Sequence, residues 1–382
     1  MKEKNKVIVL GNDHTNTIGV VQCLGKEGFY VIAVLWGEKT GLIKSSNYTK
    51  RILSAHTPQE CINLIISECV EEKKIPIIPC CDTASSYLLN NKEQLSKHFL
   101  FITINNNFFI DELLDKSKQV EIAKECGFNI PKSWEIERIN DIPPDIIYPC
   151  LIKPLVSMNG KKSDMHVCKT EDSLKKYLKE VLPITPKLLI QQYIEKDFDY
   201  VVLGCGLKNG EVIAPALIKK HKIFPLYTGL ETVVSVKPLT ESSIKESIQK
   251  MINRIGLACV FSIEFVHSTI DDKFYFVELN PRNDGINPAV VRAGVNLPLI
   301  HVNDLTNCSL PANLTVKPVQ ITWEMHHLLS MLHRQTPIKE WIKDLKDSDG
   351  FLVYDSKDKK PFFKQFTNFF LQKAHLKKAQ KY

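Results

Sequence analysis

No stretch of this 382-residue chain is apolar over a membrane-spanning length, so an integral helical membrane protein is not indicated. The start, MKEKNKVIVLGNDHT, holds an apolar stretch too short for a secretory signal, and polar residues follow at once. The 11 cysteines include no Cys-x-x-Cys pair and no metal-like spacing with histidine. Cys80 and Cys81 are adjacent, a poor geometry for a structural disulfide, so the cysteines read as thiols of a reducing cytoplasm. Gly11 follows the first apolar run, but no G-x-G-x-x-G does, and dinucleotide binding is not supported. No segment is duplicated. The body of the chain also lacks an excess of either charge. The net charge is +7, and residues 356–382, with eight lysines and one acid, Asp358, carry an equal charge. A balanced body argues against a nucleic-acid-binding fold, whose basic residues would stripe the fold itself.

What is present suits two or three domains with real cores: 44% of residues are hydrophobic and 24% charged. Residues 6–100 alternate strand-like and helix-like segments, which predicts a parallel sheet with right-handed crossovers, a Rossmann-like unit over 1–110. Asn12, Asp13 and Asp82 fall just after strands, where such sheets bind ligands, although helix capping explains them as well. From 111 the character changes. DELLDKSKQVEIAKECG reads as an amphipathic helix closed at Gly127, and YPCLIKPLVSMNGKKSDMHVC as strand, loop, strand, with Lys153 ending a wholly apolar strand. Residues up to about 300 are strand-rich with one helix at 240–255.

The segment FYFVELNPR (274–282) concentrates the chemistry. Side chains alternate faces along a strand, so Glu278, Asn280 and Arg282 share one face, and Pro281 ends the ladder. An acid beside an amide oxygen suits a hard cation such as Mg²⁺, and arginine suits phosphate or carboxylate. A solvated strand end with an incidental ion pair has the same pattern. A second acid shifts that balance. ACVFSIEFVHS (258–268) is another apolar strand with Glu264 inside it, and the turn-like STIDDK makes the two a hairpin. Two carboxylates in an apolar sheet repel unless a cation holds them, and a shared Mg²⁺ is the simplest resolution.

Taken in order, Lys116, Lys153, LLIQQYI (188–194), Glu264 and VELNPR (277–282) resemble the ATP-grasp superfamily, over about residues 5–305. The resemblance implies an α/β pre-ATP-grasp domain (1–110), two α+β lobes (111–185 and 186–310) and a C-terminal extension (311–382). It implies that Lys116 and Lys153 hold the ATP phosphates, and that Gln191, Gln192, Tyr193 and Ile194 form the hinge whose backbone reads adenine. An acid is frequent in the family where Gln192 stands. Asp199 matches a ribose-contacting acid. Glu264, Glu278 and Asn280 match the Mg²⁺ (or Mn²⁺) ligands, and Arg282 the arginine that steadies an acyl phosphate. In the loop PLVSMNGKK, which has a single glycine, Ser157 and Gly160 fall where phosphate is covered. In KKHKIFPLYTGLET, Lys222 is the basic residue expected to face nucleotide or substrate.

The implied activity is an ATP- and Mg²⁺-dependent ligase of the carboxylate–amine type, similar to carbamoyl-phosphate synthases and D-aspartate ligases. Its partners would be a small carboxylate and an amine. Two other readings stand beside it: a nucleotide-binding regulatory protein that lost turnover, and a carboxylase-type subunit. The tail, 361–382, carries Phe362, Phe366, Phe369 and Phe370 at helical spacing with lysines around them. It reads either as an interfacial helix on an anionic membrane surface or as a helix packed on the body.

Overall fold

The computed structural model describes residues 5–154, 166–185, 187–226 and 229–379. The first unit alternates as expected: β1 (Lys6–Asn12), α1 (Thr15–Lys26), β2 (Tyr30–Trp36), α2 (Leu42–Ser45), β3 (Thr49–Ala55), α3 (Pro58–Glu68), β4 (Ile75–Pro79), α4 (Asp82–Asn90), α5 (Lys92–Leu95) and β5 (Phe99–Leu100). Its five strands are parallel in the order β3-β2-β1-β4-β5. Every residue of β4 (IPIIP) is buried, the continuous apolar run of a strand covered on both faces. The sheet order reverses between β1 and β4, so the loops after those two strands open a crevice at the carboxyl edge.

Next come α6 (Ile110–Leu113), α7 (Lys116–Glu125), β6 (Ser133–Ile136), β7 (Cys150–Pro154), β8 (His166–Cys168), α8 (Glu171–Val181) and β9 (Leu188–Gln192). Four of these make an antiparallel sheet, β6-β9-β7-β8, with a small core of its own around Ile136, Ile152, Leu174 and Ile190. The expected lobe boundary at 185/186 puts β9 in the later lobe; its hydrogen bonds put it in this earlier sheet.

The remainder is β10 (Lys196–Gly206), β11 (Val212–Phe224), β12 (Leu230–Pro238), α9 (Ser242–Ile255), β13 (Val260–Ser268), β14 (Phe274–Asn280), α10 (Asn287–Arg292), α11 (Leu297–Leu305), β15 (Val319–Thr322), α12 (Glu324–Leu332), α13 (Ile338–Asp347), β16 (Gly350–Phe351) and α14 (Lys360–Ala379). Seven strands form one sheet, β14-β13-β10-β11-β12-β15-β16. The C-terminal extension thus completes this sheet through β15 and β16. α9 buries Ile244, Ile248, Met251, Ile252 and Ile255 on one stripe and stops at Gly256, whose φ of 66° is the left-handed cap. Two cores run from the parallel sheet into the seven-stranded one: Ile8 and Ile77 share a cluster with Phe261 and Phe276, and Val9 and Ile78 share another with Val201 and Ile321.

The tail is helical, and its first turns are docked. Asp358, fully buried, accepts hydrogen bonds from Ser46 Oγ (2.6 Å), Asn47 N (2.7 Å) and Gln22 Nε2 (3.2 Å). Asn368 Nδ2 donates to Thr40 O at 2.9 Å. Pro361 is buried, and Phe362, Phe366 and Phe369 are half-buried. Of the two readings of the tail, packing on the body is what these residues do. Phe370 lies outside the described side chains.

Candidate active site

The expected hairpin forms, and it places the two acids opposite each other: β13 pairs with β14 so that Glu264 faces Glu278 and Ser262 faces Asn280. Asn280 donates its amide hydrogens toward Ser262 Oγ (3.4 Å) and Glu278 Oε1 (3.3 Å), so its carbonyl oxygen is the atom left for a cation. Among the described residues no three side chains of His, Cys, Asp and Glu converge on one metal position. The donor set is two carboxylates and one amide oxygen, hard ligands that fit Mg²⁺ better than a softer ion.

Lys116 arrives from the start of α7. Asp115 caps that helix, accepting from Ser117 N and Lys118 N, which fixes Lys116 as the first helical residue. Its ammonium lies 3.3 Å from Glu278 Oε2. Burial opposes the charged form of Glu278, but Lys116 and Asn280 hold its carboxyl below the usual range. Lys153, 3% exposed near the end of β7, forms no ion pair among the described residues. It donates to Gln191 Oε1 at 3.0 Å, and Gln191 Nε2 donates to Ser133 Oγ at 3.0 Å. Burial pulls the Lys153 ammonium down to about 8, and the neighbouring Lys116 charge pushes the same way.

Sequence reasoning missed the lysine that meets Glu264. Lys220 Nζ lies 3.3 Å from Glu264 Oε1 and 3.7 Å from Glu231 Oε2. Burial opposes its charge, yet the two acids hold it well above an ordinary lysine; burial also pushes the Glu231 carboxyl up. Lys222, the residue expected there, pairs instead with Asp344 and with Glu340 (2.7 Å) of α13. The register of β11 against β12 shifts between Lys220 and Lys222, so strict alternation could not tell them apart.

Arg282 joins this cluster to the crevice of the parallel sheet. Its Nε is 3.3 Å from Asp82 Oδ1, in the first turn of α4, and its Nη1 donates to Asp284 at 2.9 Å. Burial opposes its charge, but Asp82 and Asp284 raise its pKa further above the usual arginine value. The loop after β14 is tied down by Ser85 Oγ to Pro281 O (2.7 Å) and Asn283 N to Pro79 O (3.1 Å). Sequence reasoning also missed Asp284 and Glu231, acids that nothing in the sequence singles out.

At the hinge, Gln192 N–H donates to Lys132 O (2.8 Å) and Tyr193 N–H to Pro149 O (3.1 Å), so both amides are occupied within the protein. The Ile194 N–H has no acceptor among the described residues. Asp199 is ion-paired with Lys196 and stands opposite Lys220 in the β10–β11 register. Ser157 and Gly160 lie outside the described residues.

These features define an acid–lysine–arginine centre where the parallel and seven-stranded sheets meet. Residues 113–286 match the family model of the ATP-grasp domain. A carbamoyl phosphate synthase large chain, C-terminal section, from Methanopyrus kandleri is 22% identical over 296 residues, 75% of this chain and 53% of that one. A carbamoyl phosphate synthase large chain from Thermotoga neapolitana is 23% identical over 53% of this chain and 19% of its own length. The chain therefore spans about half, or about a fifth, of these relatives. Among solved structures, N5-carboxyaminoimidazole synthetase from Staphylococcus aureus superposes with a TM-score of 0.68 at 16% identity, over 87% of this chain and 86% of that one. The biotin carboxylase domain of Hydrogenobacter thermophilus 2-oxoglutarate carboxylase, in complex with MgADP and bicarbonate, gives 0.67 at 16%, over 84% and 74%. At such identities the superpositions show the fold.

Proposed function

We propose that the chain is an ATP-dependent ligase that activates a carboxylate as an acyl phosphate and joins it to an amine. The observation that carries this is Glu264 facing Glu278 across two strands, with Asn280 beside them and Lys116, Lys220 and Arg282 paired to acids of the same cluster. Glu264, Glu278 and the Asn280 oxygen would hold Mg²⁺, which neutralises charge on the β- and γ-phosphates when bound. Lys116 and Lys153 bind the phosphates; the Ile194 N–H and the hinge carbonyls bind the adenine edge, and Asp199 the ribose. A carboxylate oxygen attacks the γ-phosphorus, the β–γ bridging bond breaks and ADP leaves. The amine then attacks the acyl carbon, phosphate departs, and an amide and a proton remain. Arg282, fixed by Asp82 and Asp284, steadies the acyl phosphate. The protein supplies position and charge rather than a covalent nucleophile.

The test is ADP and phosphate release by the purified chain across a panel of carboxylic acids, bicarbonate included, with and without amines. Release that needs both an acid and an amine is expected, and it should be abolished in Glu278→Gln with the fold intact. Nucleotide binding without release for any pair, equal in Glu278→Gln, would leave a regulatory nucleotide-binding protein instead.

A further inference from the structure

In β7 and β8 two cysteines meet. Cys150 and Cys168 are direct register partners of this antiparallel pair. Such partners project to the same face, with Cα atoms about 4.5 or 5.5 Å apart, and both values lie inside the window a disulfide spans. No other two cysteines are register partners in the described strands. Both side chains are fully buried in the small core of the four-stranded sheet. Cys168 lies on the edge strand and Cys150 on an interior one, so an entering oxidant reaches Cys168 first and Cys150 is the sulfur that resolves.

Buried thiols are ordinarily inert, so access matters. β8 has three residues, sits at the sheet edge and pairs with β7 alone, its other support being the packing of α8. His166 and Val167 on it are exposed, Val167 at 40%. A short edge strand is the kind of element that opens locally at low cost, and its opening uncovers Cys168 to a small oxidant.

We propose that Cys150 and Cys168 form a dithiol site that hydrogen peroxide closes to an intramolecular disulfide. The Cys168 thiolate attacks one peroxide oxygen, the O–O bond breaks, and hydroxide leaves to become water with the proton that Cys168 gave up. A sulfenic acid then stands on Cys168. The Cys150 sulfur attacks it, and the hydroxyl leaves with the Cys150 proton as a second water. Two thiols lose two electrons, and one peroxide is reduced to two waters. The bond ties the lobe's edge to β7, the strand that carries Lys153 and pairs through Cys150 with Gln192 of the hinge. This inference stands independently of the proposed ligation.

The test is peptide mapping of the intact chain after graded hydrogen peroxide, with free thiols alkylated under denaturing, non-reducing conditions. The expected result is a peptide linked through Cys150 and Cys168 in most chains. In Cys150→Ser, Cys168 stops as a sulfenic acid that dimedone traps; in Cys168→Ser, Cys150 stays a thiol. Cys150→Ala replaces Cys150→Ser if circular dichroism shows that variant misfolded. Full alkylation of both cysteines at a peroxide dose that oxidises the exposed Cys308, or a linkage between other cysteines, would overturn the proposal.

Discussion

Lys153 sets the sharpest residue-scale expectation, because among the described residues its ammonium donates to an amide oxygen rather than an acid, and its pKa is drawn down to about 8. In the nucleotide-free protein the ammonium is present below that pH and lost above it. Phosphate binding needs the ammonium, so ATP affinity should fall as pH rises through 8, by about tenfold between pH 7 and pH 9 if the proton is required. Calorimetry across that range checks it, and Lys153→Met should bind weakly at every pH, without the slope. A second residue-scale contrast separates Lys220 from Lys222. Lys220→Met leaves Glu231 and Glu264 without their buried cation, a loss of roughly 3–5 kcal/mol. Lys222→Met loosens a partly exposed contact with Glu340 and Asp344 of α13 and should cost less than the Lys220 change. Urea unfolding monitored on the body of the protein measures both; equal losses would contradict the assignment of Lys220 to the cluster.

At the scale of elements, the start of the C-terminal helix is anchored by a carboxylate. Asp358 accepts from Ser46, Asn47 and Gln22, and burial leaves those donors no water to turn to. Asp358→Ala should release the start of α14 from α2, so cleavage between residues 356 and 369 by limited trypsinolysis should speed up by tenfold or more. Unchanged cleavage would mean that Phe362, packed 5.3 Å from Tyr354 and 4.8 Å from Phe366, holds the helix alone. The elements also show which signals the sequence carried. Glu264 and Glu278 were legible because both are acids in otherwise apolar strands and the pairing holds from Ser262–Asn280 to Glu264–Glu278, up to the register shift that follows Glu264. Lys220 was not, because a register shift beside it breaks the strand alternation in β11. The helical spacing of the tail phenylalanines was legible too, but spacing carries no information on what a helix face will meet.

At the scale of the whole molecule, the parallel sheet and the seven-stranded sheet share two cores, while the four-stranded sheet keeps its own. The site lies where these parts meet: Arg282 reaches Asp82 of the first unit, and Lys116 reaches Glu278. The alternation of the first unit followed from hydrophobic period, and the two further lobes were what the resemblance to the ATP-grasp superfamily implied. The pairing of Arg282 with Asp82 followed from neither, since it joins residues 200 positions apart and only packing brings them together.

The most direct test of the central claim is the path of oxygen. With an acid and amine pair that supports turnover, the acid labelled with ¹⁸O in its carboxylate should pass one labelled oxygen to the phosphate released in each turnover, alongside ADP. Phosphate without label, or AMP and pyrophosphate in place of ADP and phosphate, would contradict activation through an acyl phosphate and with it the account of the site.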